Sequence, residues 1–320
     1  MAYKQLTCEK RYAIYSMYKN NYLQKEIAAI IGVHKSTISR ELSRNKSQRG
    51  YRYKFAHNQA INRRKDKATS RILQSEWELV EKLVKDDWSP EQISGRLNHK
   101  HRISISHEWI YQYILADKQS GGTLYTHLRC QKKRKKRYGS YDRRGAIPNR
   151  KLIDERPDIV EEKSRIGDWE GDTIIGKNHK QAIVTLVERK SRRVMIQKVN
   201  TKQAAEVSLA IKYLLSDYKN FVLTLTLDNG KEFSYHEQLA KDLNADIYFA
   251  HPYSSYERGL NENSNGLIRQ YFPKGSDFTN ISEQQVKTVQ NKLNNRPRKC
   301  LGFLTPNEVF FNHYEVALDT

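Results

Sequence analysis

The chain has 320 residues, of which 57 are Lys or Arg and 36 are Asp or Glu, so its formal net charge at pH 7 is +21. This length allows two or three domains with cores of their own. No apolar run approaches a membrane span or the core of a signal peptide, so the composition argues against a membrane-spanning or secreted protein.

The positive charge is concentrated in the first half of the chain. Residues 1–150 contain 33 Lys or Arg against 13 Asp or Glu, whereas residues 151–320 contain 24 against 23. Such a split indicates a polyanion-binding part followed by a near-neutral part that can gather carboxylates of its own. Charge that serves only solubility would not be expected to divide so sharply.

Three short helices are predicted at the start of the chain, over residues 7–18, 24–31 and 35–44. Gly32 is expected to end the second helix, and the side chains of Ile38 and Leu42 are expected to point inward from the third. This pattern is typical of a helix-turn-helix whose third helix enters the major groove of DNA, although an ordinary packed helical hairpin has a similar pattern. The side chains predicted to contact DNA are Lys35, Ser36, Ser39, Arg40 and Arg44.

A second helical part and a basic segment follow. Ser89 and Ser106 are each expected to cap a helix, and this pair could bind DNA or serve packing or dimerisation. Between residues 129 and 137 seven of nine residues are basic, which predicts a linker that contacts phosphates without reading sequence.

Three acids stand at alternate positions of one predicted strand. Asp168, Glu170 and Asp172 project from the same face, because side chains alternate along a strand. Asp172 enters the apolar part of the segment and is the preferred functional acid, although spacing alone leaves the three interchangeable. A strand hairpin over 181–199 and a helix over 207–215 fit in the interval before the next acid.

A second candidate acid follows a buried strand. The apolar run over 221–227 ends directly on Asp228, and the Asn229-Gly230 pair predicts a turn immediately after it. The carboxylate is therefore expected at the carboxyl edge of a sheet, where open α/β sheets bind ligands. A purely local role in capping the turn is the alternative.

Glu262 is the third candidate acid, separated from Asp228 by 33 residues. If the surrounding segment is a helix, its inward stripe contains Leu260, Ser264, Leu267, Ile268 and Tyr271. The opposite face then carries Arg258, Glu262, Asn265 and Arg269. Its Gly and Asn residues are poor helix formers, so packing or bound nucleic acid is expected to stabilise it. A salt bridge to Arg258 is the structural alternative for Glu262.

Five motifs together resemble a known family: GDWEGDTIIG, VTLVERKSR, LTLDNGKEF, PYSSYERGLNENSNGLIRQYFPKG and LNNRPRKCLGF. Over nearly the whole chain they resemble the bacterial insertion-sequence transposases of the thirty family (IS-thirty). The resemblance implies a multidomain chain, with all-α helix-turn-helix units followed by an α/β, ribonuclease-H-like (integrase-type) catalytic domain. The implied segments are an N-terminal helix-turn-helix domain (1–66), a second helical domain (67–128), a basic linker (129–157) and the catalytic domain with C-terminal helices (158–320).

The resemblance also implies a catalytic, metal-binding triad of Asp172, Asp228 and Glu262. Related families often place a Lys seven residues after the Glu; here Arg269 stands there, and a planar guanidinium grips phosphate differently from an ammonium. Arg258, Asn265 and Arg269 are expected to contact DNA.

The implied cofactor is Mg²⁺, with Mn²⁺ as a substitute and two ions per site, since hard cations prefer carboxylate oxygens. The implied partners are double-stranded DNA, both the terminal inverted repeats of the element and the target, and further copies of the chain in at least a dimer. We expect a cytoplasmic location with the DNA, which three scattered cysteines also favour.

Three other classes stay open at this stage. A sequence-specific repressor derived from a transposase would need the N-terminal half alone. Metal binding by residues 155–320 would distinguish a transposase from such a repressor. A metal-dependent nuclease of the same fold would cut DNA without joining it. A non-catalytic binding protein would have no need of the acids.

Overall fold

The computed structural model describes residues 5–67, 72–129, 147–252 and 254–318. The chain forms two compact units, Met1–Gln74 (the N-terminal unit) and Ser75–Thr320 (the C-terminal unit). Most of the predicted basic linker, residues 130–146, lies outside the described residues. The finer division of residues 67–320 into three segments remains a prediction.

The N-terminal unit contains the predicted helix-turn-helix. Its core includes Ile14, Ile27 and Ile38, none of which is exposed to solvent. A buried ion pair between Arg11 and Glu41, 2.7 Å long, joins the first and third helices. Its elements are α1 (Cys8–Lys19), α2 (Gln24–Ile31), α3 (Lys35–Arg44), β1 (Lys46–Ser47), β2 (Gly50–Tyr51) and α4 (Tyr53–Lys67).

The C-terminal unit begins with the second helical part: α5 (Gln74–Lys85), α6 (Pro90–Arg96) and α7 (His107–Gln119). Ser89 caps α6 in a capping box, and Ser106 caps α7, both as predicted. The Asp87 carboxylate accepts hydrogen bonds from Lys292 and Tyr271, each 3.0 Å long. These bonds attach the second helical part to distant segments of its own unit, and its predicted roles in DNA binding or dimerisation remain predictions.

A six-stranded sheet forms the centre of the C-terminal unit, in the order β6-β5-β4-β7-β8-β3. Strands β4, β5 and β6 pair antiparallel, whereas β4, β7 and β8 pair in parallel. A meander of three strands extended by parallel strands is the ribonuclease-H-like arrangement, so the predicted fold class is confirmed. The strands are β3 (Lys151–Leu152), β4 (Asp168–Ile175), β5 (Ala182–Glu188), β6 (Val194–Val199), β7 (Thr224–Leu227) and β8 (Asp246–Phe249).

Helices cover both faces of this sheet, so every residue of the interior strand β5 is buried. One apolar core joins α9 and α10 to alternate strand residues such as Leu186 and Leu225. The other joins α11 and α12 to Ile174, Ile183 and Val187. The remaining helices are α8 (Asp158–Glu162), α9 (Ala204–Leu215), α10 (His236–Leu243), α11 (Gly259–Ile268), α12 (Glu283–Asn294) and α13 (Pro306–Leu318). Within the described residues, no helix combines the length and apolar character needed to cross a membrane.

Candidate active site

The three alternating acids of β4 are each matched with an arginine, and the first pair is tightly bonded. Asp168 is fully buried and accepts hydrogen bonds of 2.9 and 3.1 Å from the Arg165 guanidinium. The hydroxyl of Thr224 donates a further bond of 2.8 Å to the same carboxylate. With its acceptor positions filled in this way, Asp168 stabilises the start of the strand.

Glu170 is the second acid, and it is also engaged in direct bonds. Its side chain is 1% exposed and lies 2.5 Å from a guanidinium nitrogen of Arg189. The backbone N–H of Asn261 donates to the other carboxylate oxygen at 3.1 Å. Burial raises the pKa of Glu170 above its ordinary value, and Arg189 is the main group that opposes this rise. Glu170 thereby anchors the start of α11 to β4.

Asp172 differs from both, because its arginine stands outside hydrogen-bonding distance. The nearest guanidinium nitrogen of Arg258 is 3.7 Å from Oδ2 of Asp172, whose side chain is 23% exposed. Burial raises the pKa of Asp172 to about 6; Arg258 opposes the rise, and the negative charges of Asp228 and Glu232 add to it. The carboxylate is therefore partly open and short of positive charge.

The register of the sheet brings Asp228 beside Asp172. Glu170 pairs with Thr226 across the parallel strands β4 and β7, and continuing that register by two residues aligns the two aspartates. Gly171 permits the close packing: a Cβ at this position would lie 2.6 Å from a methyl carbon of Leu227. The carboxylate of Asp228 sits in the predicted turn, where it accepts the Gly230 N–H at 2.9 Å.

Arg258 joins the two aspartates. One terminal nitrogen lies 3.7 Å from Asp172, and the other lies 3.6 Å from Asp228. The guanidinium also donates a 3.1 Å hydrogen bond to the carbonyl oxygen of Gly171. The side chain is 12% exposed. A residue expected to face DNA is thus directed at the acids.

Glu262 lies one helical turn after Arg258 on α11, and its side chain is exposed. Asn265, a further turn along, donates a 2.9 Å hydrogen bond to Oδ2 of Asp172, so this row of the helix faces β4. Among the described residues, no group of three or more His, Cys, Asp or Glu side chains is gathered closely enough to hold a metal ion. The structure therefore brings together Asp172 and Asp228 and leaves Glu262 outside the pair.

Arg269, also predicted to contact DNA, donates hydrogen bonds to backbone carbonyls, with a bond of 3.1 Å to Ile175.

One acid near the aspartates, Glu232, is absent from the sequence-based prediction of the site. Glu232 is buried, contacts Lys202 at 2.6 Å and accepts a 3.0 Å bond from the hydroxyl of Thr173. The signal for Glu232 was its place in the LTLDNGKEF motif, directly after the Asp228 turn.

The candidate recognition helix α3 has the expected bounds and orientation. Lys35, Ser39, Arg40 and Arg44 are exposed, and Ser36 is half-buried. Its N-cap is His34, whose ring nitrogen accepts the backbone N–H of Ser36 at 3.3 Å. The polar row is therefore presented to solvent, as binding in a groove of DNA would require.

The aspartate pair fits a divalent cation. Asp172 in the middle of β4 and Asp228 directly after β7 supply carboxylate oxygens, and the geometry already places a cationic group, Arg258, against both of them. Burial is the main cause that raises the pKa of Asp172, the charge of Asp228 adds to it, and a nearby cation favours the charged form of such a carboxylate. Asp172 and Asp228 are thus the residues suited to hold a metal.

A ribonuclease-H-like sheet with paired aspartates on two adjacent strands, one within β4 and one directly after β7, defines a class of enzymes acting on nucleic acid, and comparisons with known proteins narrow this class. A family model described as a helix-turn-helix domain matches residues 2–45. The chain is 48% identical over 311 residues to the transposase for insertion sequence element IS4351 of Bacteroides fragilis, covering 96% of this chain and 95% of that one.

Two further relatives are transposases. The one for IS1086 of Cupriavidus metallidurans is 33% identical, covering 96% of this chain and 94% of its own. The transposase InsI for IS30A of Escherichia coli K12 is 35% identical, covering 89% of this chain and 78% of its own. Among solved structures, the catalytic core domain of BIV integrase matches at 25% identity and a TM-score of 0.39, covering 48% of this chain and 98% of that one. The chain belongs to the IS30 family of insertion-sequence transposases.

Proposed function

We propose that this chain, a transposase by family, cuts DNA at the ends of its insertion element and joins the freed ends to target DNA, with Asp172 and Asp228 at its catalytic centre. One observation carries the proposal. The aspartate in the middle of β4 and the one directly after β7 share one loosely held cation, Arg258, whereas Asp168 and Glu170 are each bonded directly to their own arginine.

The N-terminal unit supports recognition of the element's terminal inverted repeats. Helix α3 presents Arg40 and Arg44 to solvent, and Arg40 is held by a 3.4 Å contact with the Ser36 hydroxyl. An arginine on such a helix can bond to guanine edges in the major groove. Its replacement by Ala should weaken binding to the repeats and relax sequence preference, whereas an unchanged footprint would reject a recognition role.

The reaction divides into two phosphoryl transfers. In the first, a water oxygen forms a bond to phosphorus and the bond to the 3′ oxygen breaks, which leaves a 3′ hydroxyl and a 5′ phosphate. In the second, that hydroxyl attacks a phosphate of the target and displaces another 3′ oxygen. Asp172, Asp228 and Glu262 are the proposed ligands of two Mg²⁺ ions. When bound, such ions lower the pKa of the attacking group and stabilise the charge on the leaving oxygen.

The surrounding residues hold the Asp172 carboxylate in place. Asn265 donates to its Oδ2 at 2.9 Å, and the backbone N–H of Thr173 donates to Oδ1 at 2.8 Å. The hydroxyl of Thr185 in turn donates to the amide oxygen of Asn265 at 3.0 Å, which orients that amide with its NH₂ group towards the acid. Asn265 is therefore a positioning residue of the proposed site. Its predicted role as a DNA contact remains a proposal.

An in vitro cleavage and joining assay tests the proposal, with labelled element ends, Mg²⁺ and purified full-length protein. We expect Asp172→Asn and Asp228→Asn each to reduce joining at least about 1000-fold, because each removes a charged ligand. Asp242→Asn is the matched control: it removes a half-buried carboxylate of α10 that pairs with Lys212, and joining should persist. Joining that survives either of the first two changes would contradict the proposal.

The same assay decides the third acid and the rival activity. Glu262→Gln should abolish both steps, whereas cleavage that survives it would point to Glu257, which now bonds to His251 at 2.9 Å. Cleavage without joining by the wild type would indicate a nuclease. Binding without cleavage would indicate a repressor.

A further inference from the structure

The guanidinium of Arg258 lies against both carboxylates of the aspartate pair. Its two terminal nitrogens lie 3.7 Å from Asp172 and 3.6 Å from Asp228, so its charge faces both carboxylates at once. The side chain is 12% exposed, which leaves little solvent between these groups. A divalent ion bridging the same oxygens and a guanidinium in this place would repel each other.

The contacts of Arg258 are weak enough to be exchanged. Both ion pairs are longer than a hydrogen bond, and the one direct bond goes to the carbonyl of Gly171 at 3.1 Å. Its buried Nε has no hydrogen-bond partner within the described part of the chain. By contrast, Arg189 makes bonds of 2.5, 2.8 and 3.0 Å to Glu170, Glu161 and the carbonyl of Val160. Arg258 is thus held by charge, with few directional bonds to lose.

We propose that Arg258 is a built-in counter-ion of the aspartate pair, which a divalent metal ion displaces on binding. This inference rests on the proposed metal site. The guanidinium keeps the two carboxylates together when no metal is bound, because their mutual repulsion is reduced by its charge. It also competes with the metal, so the protein binds metal more weakly than the bare carboxylates would. Metal entry turns the guanidinium away and frees it for another anion.

Titration of the full-length protein with Mn²⁺ in the absence of DNA, followed by calorimetry, tests this competition. Arg258→Ala should bind Mn²⁺ about tenfold more tightly than the wild type, since a partly buried cation is removed from the site. Arg258→Lys keeps the charge and should stay near the wild-type affinity. Arg269→Ala is the charge-matched control on the same helix face, because Arg269 contacts backbone carbonyls and its loss should change the affinity less than about twofold.

The Asp172→Asn change, added to each protein, distinguishes the counter-ion role of Arg258 from the metal site itself. Mn²⁺ binding that depends on Asp172 but is equally strong in the wild type and Arg258→Ala would overturn the counter-ion role and leave the metal site intact. If no Mn²⁺ binding in either protein depends on Asp172, the metal site itself is refuted, and the inference falls with it.

A measurement on the wild type covers the case in which Arg258→Ala fails to fold. The Nε–Hε resonance of Arg258, assigned by its loss in the Arg258→Lys spectrum, should shift during a Mg²⁺ titration in step with saturation of the site. The corresponding signal of Arg189 should stay fixed, because its buried bonds are not disturbed. An Arg258 signal that stays fixed at saturating Mg²⁺ would contradict displacement.

Discussion

Glu170 and Asp172 stand two residues apart on the same face of one strand, each with an arginine beside it, yet the two pairs differ in kind. The Glu170–Arg189 pair is buried and bonded at 2.5 Å, whereas the Asp172–Arg258 pair is partly exposed and separated by 3.7 Å. A buried, fully bonded pair holds the fold together, because breaking it leaves a charge without a partner. A loose pair at the edge can exchange its cation. Distance and exposure, rather than residue type, distinguish the structural acid from the proposed catalytic one.

The largest expected effect concerns the structural pair. Glu170→Ala removes the buried partner of Arg189, leaves it with the exposed Glu161, and removes the acceptor of the Asn261 N–H, so the free energy of unfolding should fall by about 3–5 kcal/mol. Asp172→Ala should change it by less than about 1 kcal/mol when metal is removed with EDTA.

All four tryptophans of the chain lie in the C-terminal unit: Trp77, Trp88, Trp109 and Trp169. Denaturation followed by tryptophan fluorescence therefore measures this contrast for that unit alone. Glu161→Ala is the control, because it removes the more exposed of the two acids on Arg189 and should cost less. Equal losses in the free energy of unfolding for Glu170→Ala and Asp172→Ala would contradict the distinction between the two pairs.

A second prediction uses the protonation of Asp172. Its pKa in the folded protein, about 6, is above the ordinary value of 3.8, so the folded state binds the proton more tightly than the unfolded state. The resulting stability is fully present below pH 3.8 and is lost as the pH rises through 6. Without metal, Asp172→Asn should therefore gain about 2 kcal/mol over the wild type between pH 4 and pH 7.5. Denaturation midpoints at both pH values measure the gain, and a pH-independent difference would argue against the raised pKa.

A third arginine–carboxylate pair, Arg96 with Glu308, extends the comparison to a partly exposed carboxylate that is directly bonded to its arginine. Burial alone would raise the pKa of Glu308, but hydrogen bonds from Arg96 and from the N–H of Thr305 outweigh it and lower the pKa to about 2. The stability that this pair provides is present above pH 4.5 and is lost as the pH falls through 2. About one third of the carboxylate is exposed, so we expect a loss of only about 1 kcal/mol. Acid denaturation of the wild type and Glu308→Gln measures it; parallel curves between pH 4.5 and pH 2 would contradict the assignment.

Local elements could be predicted from the sequence because their signals are local. Helices α2 and α3 have the predicted bounds, and the caps at Ser89 and Ser106 open α6 and α7 as expected. Asp228 follows its strand and enters its turn for the same reason. In each case the deciding residues lie within about four positions of one another, which is the reach of caps, turns and helical periodicity.

The partners of the acids could not be predicted, because they come from distant parts of the chain. Helical spacing offered Glu262 as a partner for Arg258, yet Arg258 faces Asp172 and Asp228, where two carboxylates are less accessible to water than one exposed glutamate. Strand alternation left Asp168, Glu170 and Asp172 equivalent until the positions of their arginines were known. The attachment of the second helical part through Asp87 likewise depends on contacts spanning about two hundred residues.

Diffraction from crystals of the metal-free protein soaked in Mn²⁺ locates the ion by its anomalous signal, without reference to activity. We expect a Mn²⁺ peak bonded to Asp172 and Asp228, with the guanidinium of Arg258 turned away from both, and no peak at Asp168 or Glu170. Saturating Mn²⁺ that leaves Asp172, Asp228 and Arg258 as they are, or that binds elsewhere, would contradict this expectation.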